Sequence, residues 1–96
     1  MSKAEEYPGP WRSVTPAIYR AIYAAGHRCV EGYMRASVKN EGEHLVYCYE
    51  QTEVWTTYLV WPLSDQVSGP DRSFAYTSGV PLPERDPDAV WMDTAP

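Results

Sequence analysis

The chain has 96 residues, of which 44% are hydrophobic, 14% aromatic and 22% charged, and its formal net charge is -5. This length fits one domain, the composition is too apolar for a disordered chain, and no segment approaches the roughly 18 consecutive apolar residues of a membrane span. Residues 11–40 carry five basic residues against one acidic residue, but acidic segments flank them on both sides, which makes binding of duplex nucleic acid unlikely.

The N-terminal residues 1–10 contain a Pro-Gly-Pro sequence and no hydrophobic periodicity. This pattern predicts a flexible arm. The remaining residues 11–96 form the predicted domain, with its core in residues 11–62 and an irregular, proline-rich segment in residues 63–96.

One helix is predicted directly after the arm. Thr15 and Pro16 are typical of an N-cap and a first helical position, and Gly26 is a typical stop. Between them the apolar residues recur at helical spacing. The predicted buried stripe consists of Ile18, Ala21, Ile22 and Ala25.

Three strands follow, because the next segments alternate in polarity or are rich in Val, Tyr, Trp and Thr. They cover residues 28–38, 44–50 and 54–61, with a polar hairpin loop at residues 39–43. Beyond Pro62 regular structure becomes sparse. Residues 73–77 favour a short edge strand, and residues 86–91 resemble the start of a helix that Trp91 anchors.

The order of these elements predicts an α+β fold. One N-terminal helix packs on a three- to four-stranded antiparallel sheet, in which the strands form a meander after the helix. The proline-rich C-terminal segment is draped over the domain, because it carries enough apolar side chains to pack against it.

The two faces of this sheet follow from the expected hairpin registers, in which Val38 pairs with His44 and Glu50 pairs with Glu53. One face is almost wholly apolar and is covered by the helix: Val30, Met34, Ala36, Val38, Val46, Cys48, Trp55, Leu59 and Trp61. The other face is rich in tyrosine: Glu31, Tyr33, Arg35, Leu45, Tyr47, Tyr49, Val54, Thr56 and Tyr58.

The tyrosine-rich face has three interpretations. Tyrosine offers a large contact area with a polar tip and is enriched at interfaces, which indicates a surface for a protein partner. Alternatively, the C-terminal segment covers this face and the tyrosines form a second, half-wet core. In the third interpretation a nucleotide or other small molecule stacks on the tyrosines, with Arg35 as its anion partner.

No motif for catalysis or metal binding stands out. His27, Cys29, His44 and Cys48 are residue types that bind zinc, but the expected register separates the two cysteines by about 17 Å. That distance also excludes a disulfide. The first residues lack the apolar region of a secretory signal, so we expect a cytoplasmic chain with reduced cysteines that act as small hydrophobes.

These observations favour a non-catalytic, acidic protein-binding module without a cofactor or a membrane partner. We expect an inhibitor or modulator of a host protein or complex, of the kind used by phages and other mobile elements. The partner would carry a basic surface, and a homodimer is a further possibility. The expected binding surface comprises Tyr33, Arg35, Tyr47, Tyr49, Thr56 and Tyr58, together with the acidic residues Glu41, Glu43, Glu50 and Glu53.

Overall fold

A computed structural model describes residues 1–50 and 54–85 of the chain. It has the predicted α+β character, with five antiparallel strands that follow one another in chain order across a single sheet. The sheet therefore has more strands than the three or four expected, and two short helices join the predicted one. In chain order the elements are α1 (Lys3–Glu6), β1 (Arg12–Ser13), α2 (Pro16–Ala24), β2 (Glu31–Ala36), β3 (His44–Glu50), β4 (Val54–Trp61), β5 (Gln66–Asp71) and α3 (Phe74–Thr77).

Helix α2 begins and ends where the sequence predicts. The Thr15 hydroxyl accepts a hydrogen bond from the Ile18 amide at 3.3 Å, and Pro16 occupies the first turn. Ala25 forms the C-cap and is exposed, so it does not extend the buried stripe as expected. The residues of α2 that pack against the sheet are Ile18, Ala21 and Ile22.

The β2–β3 hairpin has a register two residues away from the expected one. Ala36, and not Val38, lies opposite His44. Because side chains alternate with a period of two, this shift leaves the predicted faces of β2 and β3 unchanged.

The β3–β4 hairpin differs by one residue, which exchanges the two faces of β4. Glu50 lies opposite Val54, where Glu53 was expected. As a result Tyr58 packs with α2, and Trp55 packs with the tyrosines of the opposite face. The prediction for these β4 side chains is therefore wrong.

The sheet separates two hydrophobic clusters. The first lies between the sheet and α2 and contains Val14, Ile18, Ala21, Ile22, Cys29, Val46, Cys48, Tyr58 and Val60. The second lies on the other side and contains Tyr7, Tyr33, Leu45, Tyr47, Trp55, Ala75 and Val80.

Tyr7 is part of this second cluster, although the sequence predicted a flexible arm over residues 1–10. Ser2 and Glu5 form a capping box that starts α1. Tyr7 is only 1% exposed, and its hydroxyl donates a hydrogen bond to the Glu43 carboxylate. A one-turn helix is too short to show periodicity, and the partners of Tyr7 are distant in sequence.

Residues 73–77 form helix α3 and not the predicted edge strand. The Asp71 carboxylate accepts hydrogen bonds from the amides of Ser73 and Phe74, at 3.0 and 3.1 Å, and so initiates the helical turn. The edge strand beside β4 is instead β5, which contains Pro70. Proline is compatible with this position because an edge strand has amide positions that need no partner.

Cys29 and Cys48 form a disulfide, with their Cα atoms 5.2 Å apart. The prediction of two distant, reduced cysteines is therefore wrong. Gly32, and not Met34, lies opposite Cys48, and the chain before β2 turns back over the sheet. Gly32 makes this possible, since a Cβ atom there would lie 2.5 Å from the Cys29 sulfur.

Candidate functional site

The tyrosine-rich face is covered over much of its area in the described part of the chain. Tyr33 is 6% exposed, and Tyr47 is completely buried. Ala75 and Val80 pack on them from the C-terminal side, and Tyr7 packs on them from the N-terminal side. The alternative interpretation, in which the C-terminal segment covers this face, therefore describes the structure up to residue 85.

The Tyr33 and Tyr47 hydroxyls on this covered face have partners within the protein. The Tyr33 hydroxyl donates to the Glu31 carboxylate at 2.7 Å. The Tyr47 hydroxyl lies 3.0 Å from the Ser78 hydroxyl, and burial raises the pKa of Tyr47. These tyrosines act as core residues, and a ligand has no open tyrosine floor there on which to stack.

Tyr49 lies on the opposite side of the sheet from Thr56 and Tyr58. Thr56 and Tyr58 are buried on the α2 side, where the Tyr58 ring lies 5.4 Å from the His27 ring. Tyr49 is half-buried on the other side, and the Arg85 guanidinium carbon lies 3.8 Å from the centre of its ring. The predicted tyrosine surface is thus not one continuous site.

The predicted acidic residues are also divided. Glu41 is exposed. Glu43 is buried, with only 6% exposure, and accepts a hydrogen bond from the Tyr7 hydroxyl. Glu43 directly precedes the seven-residue strand β3, and Glu50 is the last residue of that strand. The strand separates its two ends by about 20 Å. Glu50 accepts a hydrogen bond from Thr56 at 2.9 Å and forms an ion pair with a surface arginine. Glu53 lies outside the described residues, as does the predicted helix at residues 86–91.

Arg35 is the predicted site residue that lines an open cleft. It is half-buried, and its guanidinium lies 4.4 Å from the centre of the Trp11 ring. Its Nη1 atom donates to the Tyr7 carbonyl at 3.2 Å. The cleft, of about 280 Å³, lies between residues 8–10 and the outer side of β2.

The end of the sheet beside this cleft carries exposed apolar side chains. Leu63, at the tip of the β4–β5 hairpin, is 97% exposed, and Val38 in the β2–β3 loop is 63% exposed. Both loops leave the sheet at the same end, because Ala36, His44 and Val60 lie in one row across three neighbouring strands. We refer to Val38 and residues 61–63 as the apolar tip.

Sequence reasoning missed both features. Leu63 was assigned to an irregular segment, although the apolar sequence Trp61-Pro62-Leu63 directly follows a strand. The cleft was missed because residues 8–10 were assigned to the arm. The aromatic residues on both sides of this Pro-Gly-Pro sequence were the available signal for a fixed loop.

The described ranges contain no cluster of three or more His, Cys, Asp or Glu residues that could hold a metal ion. Nor do they include a helix with the length and apolar character to cross a membrane. Comparison with protein-family models, with curated proteins and with solved structures gave no match.

Proposed function

We propose that this protein is a non-catalytic module that binds a protein partner through the apolar tip. The observation that carries the proposal is the 97% exposure of Leu63 on a projecting hairpin. Burying a leucine side chain contributes about 1.5 to 3 kcal/mol. A leucine at a hairpin tip is well placed to enter a pocket on a partner, because it projects beyond the surface around it.

The surroundings of Leu63 support an interface and not an isolated exposed side chain. Trp61 and Pro62 precede it and are half-buried, so that part of each is accessible. Val38 adds a further exposed apolar group at the same end of the sheet. Aromatic side chains such as that of Trp61 contribute much of the binding energy of many protein interfaces.

The charges near the apolar tip favour a partner with basic groups around its pocket. Glu41 and Asp65 are exposed in the two loops that carry Val38 and Leu63. The formal net charge of the chain is -5, which adds long-range attraction toward a basic surface. This is the partner chemistry expected of an acidic inhibitor or modulator of a host protein.

The proposal of a non-catalytic role is supported by how the reactive side chains are used. Both cysteines are joined in the disulfide, so neither is available as a thiolate nucleophile. His27 lies against the Tyr58 ring, and His44 Nδ1 lies 3.3 Å from the Gly42 carbonyl oxygen. Within the described residues, neither histidine contacts a nucleophile that it could activate.

The test compares Leu63→Lys with Leu82→Lys, the same substitution at another exposed leucine (42% exposed) that lies outside the β2–β3 and β4–β5 loops. Each tagged protein is used to capture proteins from a lysate of the natural host, and the captured protein is then titrated against all three forms. We expect one stoichiometric partner whose affinity falls at least tenfold with Leu63→Lys and stays unchanged with Leu82→Lys. Equal binding by both variants would contradict the proposal.

Light scattering of the purified protein supplies the second arm of this test. A concentration-dependent dimer that Leu63→Lys abolishes would mean that the apolar tip contacts a second copy of the chain. That outcome would replace the host partner with a homodimer. A monomer at every concentration is the result that the proposal requires.

The cytoplasmic location is a prediction from the sequence, and the Cys29–Cys48 disulfide counts against it. Disulfides persist mainly in oxidising compartments. Rapid alkylation of intact host cells, followed by mass spectrometry, distinguishes the two settings. Two alkylated cysteines support the cytoplasm, and an unmodified disulfide supports an oxidising compartment.

A further inference from the structure

We propose that the cleft beside β2 binds an anionic group, a carboxylate or a phosphate, carried on an apolar body. The cleft has a volume of about 280 Å³, close to the lower end of the range for small-molecule sites. Arg12, Arg35 and His44 all line it, and among residues 1–50 and 54–85 no acidic side chain lines it. The cleft shares Val38 with the apolar tip, but Leu63 does not line it, and its function does not depend on the partner proposed above.

Arg35 is the central observation. Within residues 1–50 and 54–85 it has no carboxylate partner, and its Nε atom is buried without a hydrogen-bond acceptor. Half-buried arginines are normally matched by an acidic group, because removing the charge from water is costly. Desolvation accordingly lowers the pKa of Arg35. An anion in the cleft would supply the missing negative charge.

The chain around Arg35 holds its guanidinium in a fixed position. The Trp11 ring stacks on the guanidinium, and the Tyr7 carbonyl accepts a hydrogen bond from Nη1. Gly9 allows the backbone to come close, since a Cβ atom there would lie 2.9 Å from Nη2. Prolines on both sides of Gly9 restrict this segment further. A guanidinium fixed in this way loses little entropy when it binds an anion.

The remaining lining selects the body of the ligand. Met34 and Val38 contribute apolar side chains, and Pro8 and Pro10 contribute ring surfaces. An inorganic ion would leave these groups exposed to water, whereas an aryl or alkyl group would cover them. The chemistry of the cleft therefore fits an organic carboxylate or phosphate better than a free ion.

A second cleft of about 270 Å³, near His27, also contains two arginines, but it does not offer the same chemistry. Glu50 lines it and forms an ion pair with Arg72, with Nη2 and Oε2 3.3 Å apart. An anion there would have to compete with a carboxylate that is already in place. The cleft at Arg35 lacks such a competitor, and this is why we assign the anion to it.

The experiment titrates the full chain with phenyl phosphate, followed by NMR of the arginine Nε–H groups and the backbone amides at constant ionic strength. We expect saturable shifts of the Arg35 Nε–H signal and of the amides around Ala36. Phenol, which has the same ring without the charge, should give at least tenfold weaker binding. Equal binding of phenol would overturn the anion assignment.

Three variants identify the residues responsible. Arg12→Gln removes one cation without disturbing the stack on Trp11, and we expect the dissociation constant to rise about tenfold. Arg35→Lys keeps the charge but loses the planar fork, and it should raise the constant similarly while circular dichroism confirms the fold. Arg20→Gln, on the outer side of α2, is the matched control and should leave binding unchanged.

The outcomes of the variant series separate a site from a purely structural role for Arg35. If Arg35→Lys keeps its fold and binds phenyl phosphate as well as the unchanged chain, Arg35 serves only to hold the N-terminal segment and the proposal fails. If Arg20→Gln weakens binding as much as Arg12→Gln, the shifts report general surface charge, which also overturns it. Weaker binding of phenyl phosphate by Arg12→Gln, together with unchanged binding by Arg20→Gln, supports the site.

Discussion

The Arg85 guanidinium lies against the buried carboxylate of Glu31, with Nε 3.3 Å and Nη2 3.0 Å from Oε1. Glu31 is 1% exposed, and the Tyr33 hydroxyl also donates a hydrogen bond to it. Arg85 also covers the ring of Tyr49. One buried acid therefore joins the start of β2 to the C-terminal part of the described chain.

This arrangement predicts that Glu31→Ala lowers the free energy of unfolding by about 2 kcal/mol, because the buried Tyr33 hydroxyl loses its acceptor. Arg85→Gln should destabilise in the same direction, since it leaves the Glu31 carboxylate without its cation. Urea unfolding at neutral pH measures both changes. Glu84→Ala, at an exposed position next to Arg85, is the matched control. A Glu31→Ala protein as stable as this control would contradict the interpretation.

Tyr47 provides a second prediction, because it is completely buried on the face that the sequence assigned to a partner. Tyr47→Ala should lower the unfolding free energy by about 3 to 5 kcal/mol through the cavity that it leaves. Tyr47→Phe keeps the ring and loses the contact with Ser78, so it should cost only about 1 kcal/mol. Thermal unfolding of both variants tests whether Tyr47→Ala destabilises the protein more than Tyr47→Phe does. Full stability of Tyr47→Ala would mean that the tyrosine-rich face is open.

Local signals predicted the elements that depend on local chemistry. Thr15 and Pro16 define the start of α2, and the limits of β3 and β4 agree with the predicted segments. Hairpin register is set by the turn, and the Gln51-Thr52 sequence carries no strong turn chemistry. A shift of one residue was enough to exchange the faces of β4 and to move Tyr58 away from the other tyrosines.

The binding surface could not be predicted for a related reason. Whether a tyrosine is open or covered depends on segments distant in sequence, such as the chain around Tyr7 and Val80. Glu43 shows the same dependence, since Tyr7 lies 36 residues away from it in the chain. Of the predicted acidic site residues, Glu41 lies in a loop and is exposed.

The Cys29–Cys48 disulfide leads to a third prediction. It closes a loop with a sequence separation of 19 residues within the first hydrophobic cluster. In the chain-entropy description a loop of this size contributes about 3 kcal/mol. Reduction with a phosphine should therefore lower the guanidinium midpoint of the unchanged chain. The Cys29→Ala, Cys48→Ala double variant is the control and should not respond to the reductant. An unchanged midpoint after confirmed reduction would contradict the prediction.

Alkaline unfolding gives the fourth prediction, and it follows from three buried tyrosines. Burial is the main cause that raises the pKa of Tyr7, Tyr47 and Tyr58 above the usual value near 10. The Glu43 carboxylate raises the pKa of Tyr7 further, and the Glu50 carboxylate raises that of Tyr58. In the unfolded chain these hydroxyls would lose their protons near pH 10, while in the folded chain they keep them.

The sign of the effect follows from proton binding. Between the unfolded and folded pKa values the folded state holds more protons, so stability is complete below about pH 10 and decreases as the pH rises above it. Once the pH is well above the unfolded value, each tyrosine contributes a slope of at most about 1.4 kcal/mol per pH unit, so all three together contribute at most about 4 kcal/mol per unit. Urea unfolding at intervals from pH 8 to pH 11 measures this slope. Tyr58→Phe should reduce it by about a third, and a slope that does not differ from that of the unchanged chain would show that Tyr58 is not shielded from water.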